Sequence, residues 1–347
     1  MKKLLSVLMV FVLILALAAC GSNVKESSTN AETKAPQPTQ TETTKAPDSG
    51  EWKPTGPITL VVCFSAGGGT DIGARVLVPF LEKELGVTVN VENVPGGSGW
   101  VGWNQVANTA ADGYTFCMIN TPSIYGGILD PSRGITKSMD DFTPLGNQVS
   151  DDNILVVSKD SKYQSVKEII EAAKNGEVLT VATTGAGTDD EICLAKIEAA
   201  ESIDLEPVAF DGTADGKAAT LGNNVDMLIC NVSEVAGQIA DGQFRGLAVF
   251  AAERNGFVPD VPTYGEAAST TILASVNRGF AMPKCNDAAI IKTLSEALGR
   301  AITNEDCIKQ MNEMFLKTNY MNAEQHSKNV EEEFAYMDSI KEQFGWK

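Results

Sequence analysis

The chain has 347 residues, with 45 acids against 27 bases, and 43% of it is hydrophobic. That length suits one large or two ordinary domains, and the composition is globular, so wholesale disorder is excluded. A net charge of −18 excludes a protein that grips nucleic-acid phosphates, and a single histidine, His326, excludes His-rich zinc sites and HExxH proteases.

Lys2 and Lys3 precede an apolar stretch, Leu4 to Ala19, interrupted only by Ser6. It is short for a membrane span and ends in small residues, as a signal peptide does. Leu17-Ala18-Ala19-Cys20-Gly21 resembles a bacterial lipobox. The expectation is a signal peptide over 1–19, cleavage before Cys20 and lipid on Cys20, holding the protein to a membrane without a spanning helix. Residues 20–51 are rich in Ser, Thr, Lys, Pro and Glu and lack aromatics before Trp52, so they read as a flexible tether. The other six cysteines, 63, 117, 193, 230, 285 and 307, show no zinc spacing. Cys63, Cys117 and Cys230 sit in apolar runs and read as buried small hydrophobes, with disulfide pairing left open.

The body alternates strands and helices. Ile58 to Phe64 reads as a strand, followed by a helix from about Asp71 to Gly86 that Pro79 should kink. Strands follow at Val87–Val94 and Tyr114–Asn120, then Asn153–Ser158, Val178–Thr183, Val225–Asn231 and Gly246–Ala251. Ser165 and Glu168 form a capping box, as do Thr188 and Glu191. After about Arg278 the chain reads as helical: 287–303, 305–316 and 323–344. Strand–helix alternation implies mostly parallel sheets covered by helices, here as two lobes around a cleft. Trp100 and Trp103 read as packing, His326 as exposed, and Glu331–Glu333 as a solvated face.

Two loops carry the chemistry. Phe64-Ser-Ala-Gly-Gly-Gly-Thr-Asp71 joins a strand to a helix, and its glycines let several N–H groups approach a ligand beside a helix N-terminus. An anion is the natural guest, and no Gly-Lys-Ser/Thr makes it a P-loop. Thr183-Thr-Gly-Ala-Gly-Thr-Asp-Asp-Glu191 repeats the design in the second module. Gly97, Gly99 and Gly102 match GxGxxG, but no acid stands where a ribose partner would, so this turn reads as structural.

Pro57 to Asp71, Val91-Glu-Asn-Val-Pro-Gly-Gly-Ser-Gly99, Ala111-Asp-Gly-Tyr-Thr115, Asp141-Phe-Thr-Pro144, Gly222 to Met227, Arg245 to Val249 and Val258 to Thr263 together resemble the tripartite tricarboxylate transporter substrate-binding proteins, the TctC or Bug family. The resemblance runs from about 53 to 345. It implies an α/β, two-lobed, periplasmic-binding-protein-like (type II) fold: lobe 1 from 52–152 plus 276–347, lobe 2 from 153–275, joined by strands near Ser150–Ser158 and Ala274–Met282. It further implies a monomeric, lipid-anchored extracytoplasmic receptor that passes a small carboxylate to a membrane permease, with no cofactor and no catalysis. The ligand-binding residues it implies are Phe64, Ser65, Ala66, Gly67, Gly68, Gly69, Thr70 and Asp71 in the first loop, and Thr121 and Ser123 after the third strand. In the second lobe they are Thr183, Thr184, Gly187, Thr188 and Asp189, with Phe210, Asp211, Gly212 and Thr213.

The chain departs from the family where Asp189, Asp190 and Glu191 replace a small polar pair and a His, and where Asp211 replaces a Lys. Each like-charge contact at ~4 Å costs on the order of 1–4 kcal/mol, and a helix terminus returns only about 0.3–1 kcal/mol. Two readings stay open. Asp189, Asp190 and Glu191 point to solvent and serve the helix dipole; or Asp211, alone or with Asp189, meets a positive group on the ligand. An α/β hydrolase acting on a small acidic substrate is the alternative function, disfavoured because His326 lies far from every glycine loop in sequence.

Overall fold

The computed structural model describes residues 51–268 and 270–346. The signal peptide, Cys20 and nearly all of the tether fall outside them. No helix among the described residues is long and apolar enough to cross a membrane.

The strands are β1 (Ile58–Val62), β2 (Val89–Asn93), β3 (Thr115–Thr121), β4 (Phe142–Ser158), β5 (Thr180–Thr183), β6 (Glu206–Ala209), β7 (Met227–Asn231), β8 (Phe244–Val249), β9 (Ser275–Pro283) and β10 (Thr318–Met321). The helices are α1 (Gly69–Leu85), α2 (Trp100–Ala107), α3 (Ser123–Leu129), α4 (Val166–Lys174), α5 (Asp189–Glu201), α6 (Thr213–Leu221), α7 (Val232–Ala240), α8 (Tyr264–Ala268), α9 (Ala288–Ile302), α10 (Glu305–Glu313) and α11 (Ala323–Ile340). α1 continues as one helix through Pro79.

In the first lobe the order is β2-β1-β3-β9-β4 with β10 beside β4; in the second it is β4-β7-β5-β6 with β8 beside β4. β1 pairs parallel with β2 and β3, and β5 pairs parallel with β6 and β7, as the strand–helix alternation implies. Every pairing made by β4 or β9 is antiparallel, so both sheets are mixed rather than mostly parallel. β4 is shared. Its first half pairs with β9 and β10, and its second half with β7 and β8.

Alternation along each strand divides the core. Ile58, Leu60 and Val62 face one apolar cluster, and Val61 and Cys63 face another. In the second lobe Met227 and Ile229 face one cluster, Leu228 and Cys230 the other. Both faces are covered, so the strands read as unbroken apolar runs. The six body cysteines are buried and unpaired. Burial pushes the Cys193 and Cys230 thiols well up, which keeps them neutral.

Two local expectations change. Thr188 does not cap α5 through a box: its hydroxyl donates to Gly185 O at 2.7 Å, while Glu191 accepts from the Gly187 N–H. His326 is fully buried rather than exposed. On α11 it shares a face with Val330 and Met337, which turns it onto the sheet while its polar neighbours face out. It lies so close to Gly279 on β9 that no side chain fits there.

Two predictions follow from this packing. At Gly102 a methyl group would fall 2.7 Å from Cys63 Sγ and 2.9 Å from Val94 O. Gly102→Ala should lower stability by about 1–3 kcal/mol in urea melts. Burial holds the His326 imidazole down at about 4. The unfolded chain, with an ordinary value near ~6.5, takes up the proton first, so stability contributed by the neutral ring is lost as pH falls from about 6.5 to about 4. Between pH 7 and pH 4.5, His326→Gln should lose about 2–3 kcal/mol less than the wild type, read from urea melts at the two pH values.

Candidate functional site

Both glycine loops open on one cavity of ≈ 20 Å³ between the lobes. From the first lobe it is lined by Phe64, Ser65, Gly68, Gly69 and Thr70, where β1 ends and α1 begins. From the second come Thr184 after β5, Asp189 at the start of α5, and Gly212 and Thr213 at the start of α6. Five further lining residues escaped the sequence-derived set: Asn120 on β3, Asp190, Asn231 at the end of β7, Glu234 in α7, and Arg278 on β9. A signal for Arg278 was present, since it is the one charge inside the apolar run Val276 to Met282. Asn231 and Glu234 form a capping box, a pattern that also marks a strand end turning into a helix.

The other sequence-predicted residues lie around this cavity rather than on it. Ala66 and Gly67 are exposed at the loop tip, where Gly67 takes a φ of +83°. Asp71 turns away: it accepts from the Gly67 N–H at 2.9 Å, from Arg75 Nε at 2.9 Å and from Asn93 Nδ2 at 2.9 Å. Burial alone would raise the Asp71 carboxyl, but the hydrogen bonds from Arg75, Gly67 and Asn93 outweigh it and hold it below the usual range. Thr121 is buried behind the cavity, and Thr183, Gly187 and Thr188 shape the second loop. Phe210 packs on the second-lobe core. The Asp211 side chain is exposed; its backbone carbonyl accepts from Ser65 N–H at 3.3 Å and Ser65 Oγ at 3.1 Å. Asp211 therefore does not present its charge to the cavity.

The acids on α5 behave oppositely. Asp189 and Asp190 are 6% and 2% exposed, so the solvent-facing reading fails for them. Asp189 accepts from Ser123 Oγ at 2.9 Å, Asn153 Nδ2 at 3.0 Å and Asn231 Nδ2 at 3.0 Å. Asp190 accepts from Asn153 Nδ2 at 3.1 Å and from both the N–H and hydroxyl of Thr184. Burial, then the neighbouring Asp189 and Glu234 charges, push the Asp190 carboxyl well up.

The lobes touch. Ser123 on α3 binds Asp189 in both directions, and its Oγ accepts from the Asp189 N–H at 3.0 Å. Gly126 meets the Gly187 backbone so closely that a side chain there would part the lobes. Arg133 donates to Gly97 O at 2.9 Å and to Ala186 O. Gly212 stands against Ser65, where a methyl group would fall 2.8 Å from Ser65 Cβ. Glu234 reaches across to accept the Gly69 N–H at 2.8 Å, at the N-terminus of α1, and also accepts from Thr213 Oγ1 at 2.9 Å. Several amides offered by the two loops are thus held by the chain's own acids, Asp71, Asp190, Glu191 and Glu234.

Arg278 is 1% exposed. It donates to Asp151 Oδ2 at 2.7 Å and Asn231 Oδ1 at 2.7 Å, with Glu234 Oε1 at 3.8 Å. Burial opposes its charge, but Asp151 and Glu234 outweigh burial and hold the guanidinium protonated. Burial raises the Asp151 carboxyl despite Arg278 and Ser233. Chemically the cavity offers an anion site, made of helix N-terminal amides and a guanidinium, beside a dense group of carboxylates.

Residues 73–346 match the model of the tripartite tricarboxylate transporter family receptor. The BugT protein of Bordetella pertussis is 29% identical over 268 residues, 76% of this chain and 82% of BugT. The periplasmic binding protein BugD superposes with a TM-score of 0.79 at 25% identity, covering 85% of this chain and 99% of BugD. MatC of Rhodopseudomonas palustris with bound malate gives 0.78 at 23% identity, covering 83% and 99%. With a two-lobed fold, a polar cavity between the lobes and a family match over most of its length, the chain belongs to the tripartite tricarboxylate transporter receptor family, the TctC or Bug solute-binding proteins.

Proposed function

We propose that the protein is a lipid-anchored extracytoplasmic receptor that captures a small carboxylate-bearing solute between its lobes and delivers it to a tripartite tricarboxylate-type permease. The observation that carries this reading is the convergence of the α1 N-terminal amides and the buried Arg278 guanidinium on one interlobe cavity. Both are complementary to a carboxylate, and neither needs a metal or a proton transfer to hold it. The malate bound by MatC, a protein of the same fold, supports a ligand of this class. The closed cavity is about the size of a water molecule, so capture requires the lobes to part and close again about the segments where β4 and β9 join them. In this reading 52–152 with 276–347 move as one lobe and 153–275 as the other, 1–19 direct export, and 20–51 tether the body to lipid on Cys20.

A thermal-melt series with succinate, malate and related acids tests the capture step. A true ligand should raise stability by about 2.7 kcal/mol at a hundredfold excess over Kd. A flat response to every small carboxylate would argue against the reading. A side chain at Gly69 would start 2.7 Å from Arg278 Nη2, so Gly69→Val should abolish the shift while the melt of the free protein stays cooperative. Anchoring is tested separately. Cys20→Ser should release the protein from the membrane fraction, and the wild type should carry the mass of a diacylglyceryl cysteine.

A further inference from the structure

Away from the cavity, two residues break local rules, and they break them against each other. α10 closes with two backbone hydrogen bonds, from the Phe315 N–H to Asn312 O at 3.0 Å and from the Leu316 N–H to Met311 O at 2.9 Å. The residue between them takes a left-handed conformation, which glycine adopts freely. Here it is a phenylalanine with a φ of +60°, a costly placement for a bulky side chain. Gly237 is the second residue. It lies inside α7, where alanine would favour the helix more. A Cβ on Gly237 would stand 3.3 Å from Phe315 Cε2, so the glycine makes room for the ring.

This contact joins the lobes. Met311 and Leu316 belong to the first-lobe core, but the Phe315 ring packs on the second-lobe cluster. It meets Phe257 edge to face, with 5.8 Å between ring centroids. The Phe257 loop is itself tied to β4: Asn255 accepts the Phe257 N–H at 3.0 Å and donates to Asp152 Oδ2 at 3.0 Å. Gly237 follows Glu234 by three residues, so both lie on the face of α7 turned toward the first lobe. One turn of that face makes the polar contact with Gly69, and the next makes the apolar contact with Phe315. Two unfavourable local choices persist only where the contact they allow offsets them.

We propose that Phe315 is an apolar clasp between the lobes. Its ring, seated on Gly237 and Phe257, holds α7 against the first lobe and sets how readily the lobes part. This rests on the reading above that the lobes open and close, and it adds a residue outside the cavity lining.

Amide hydrogen exchange, read by NMR on the mature chain without added solute, tests it. The Gly69 and Asp189 N–H groups open α1 and α5 and have no partner in their own helices. Each is held from the opposite lobe, by Glu234 and Ser123. Their exchange reports lobe opening, whereas that of Leu60 and Val181, in the middle of β1 and β5, reports unfolding. Phe257→Ala leaves the turn at Phe315 untouched. In it Gly69 and Asp189 should exchange roughly two- to tenfold faster, while Leu60 and Val181 keep their wild-type rates. Gly237→Leu fills the seat of the ring and favours α7; it should do the same, and it decides the matter if Phe257→Ala does not fold. Unchanged rates at Gly69 and Asp189, or a rise no larger than at Leu60 and Val181, overturn the clasp and leave the capture reading standing. If Gly69 and Asp189 exchange in the wild type as slowly as Leu60 and Val181, the lobes never part, which overturns both.

Discussion

Arg278 brings a permanent charge into a place without solvent, and the polar residues around it are arranged to meet that charge. It stands on β9 in the first-lobe sheet, yet Asn231 and Glu234, which it faces, belong to the second lobe. An unpaired buried guanidinium is among the least tolerable groups in a protein interior. The closed arrangement meets its charge from both sides, through Nη1 and Nη2, and leaves Nε without a partner among the described residues. Asp151, on the segment of β4 that passes between the lobes, supplies the ionic partner, and Ser233 fixes that carboxylate at 2.5 Å and 3.3 Å. In the proposed receptor reading, the residue that meets the ligand's carboxylate is therefore also one that holds the lobes together.

Local physics wrote much of the fold into the chain. Strands covered on both faces show as apolar runs, so β1, β3 and β7 were visible, and Gly-rich turns before helices marked where α1 and α5 begin. The first half of β4 was not visible. Thr143, Pro144, Gly146 and Asn147 interrupt its apolar pattern, and it is held by long-range pairing with β9 and β10 instead. β6 and β10 are four-residue strands with little apolar signal, and they exist because an edge was available.

The site was half legible for a related reason. Loops at helix N-termini announce themselves through glycine and capping chemistry, so Gly68, Gly69, Thr70 and Thr213 could be named. Arg278, Asn120 and Asn231 act because strands far apart in sequence place them together, and no local pattern encodes that. The acids show the same division. Asp189, Asp190 and Asp211 looked alike as departures from the family, but helical phase turned the first two inward and an extended turn at Gly212 left the third in solvent.

Glu234 has a bearing on how the proposed receptor would select its solute. It is a tethered carboxylate seated on a main-chain amide of the opposite lobe. In the proposed receptor reading, an acid group that takes this amide replaces a resident carboxylate, so a titration would report an exchange rather than a simple association.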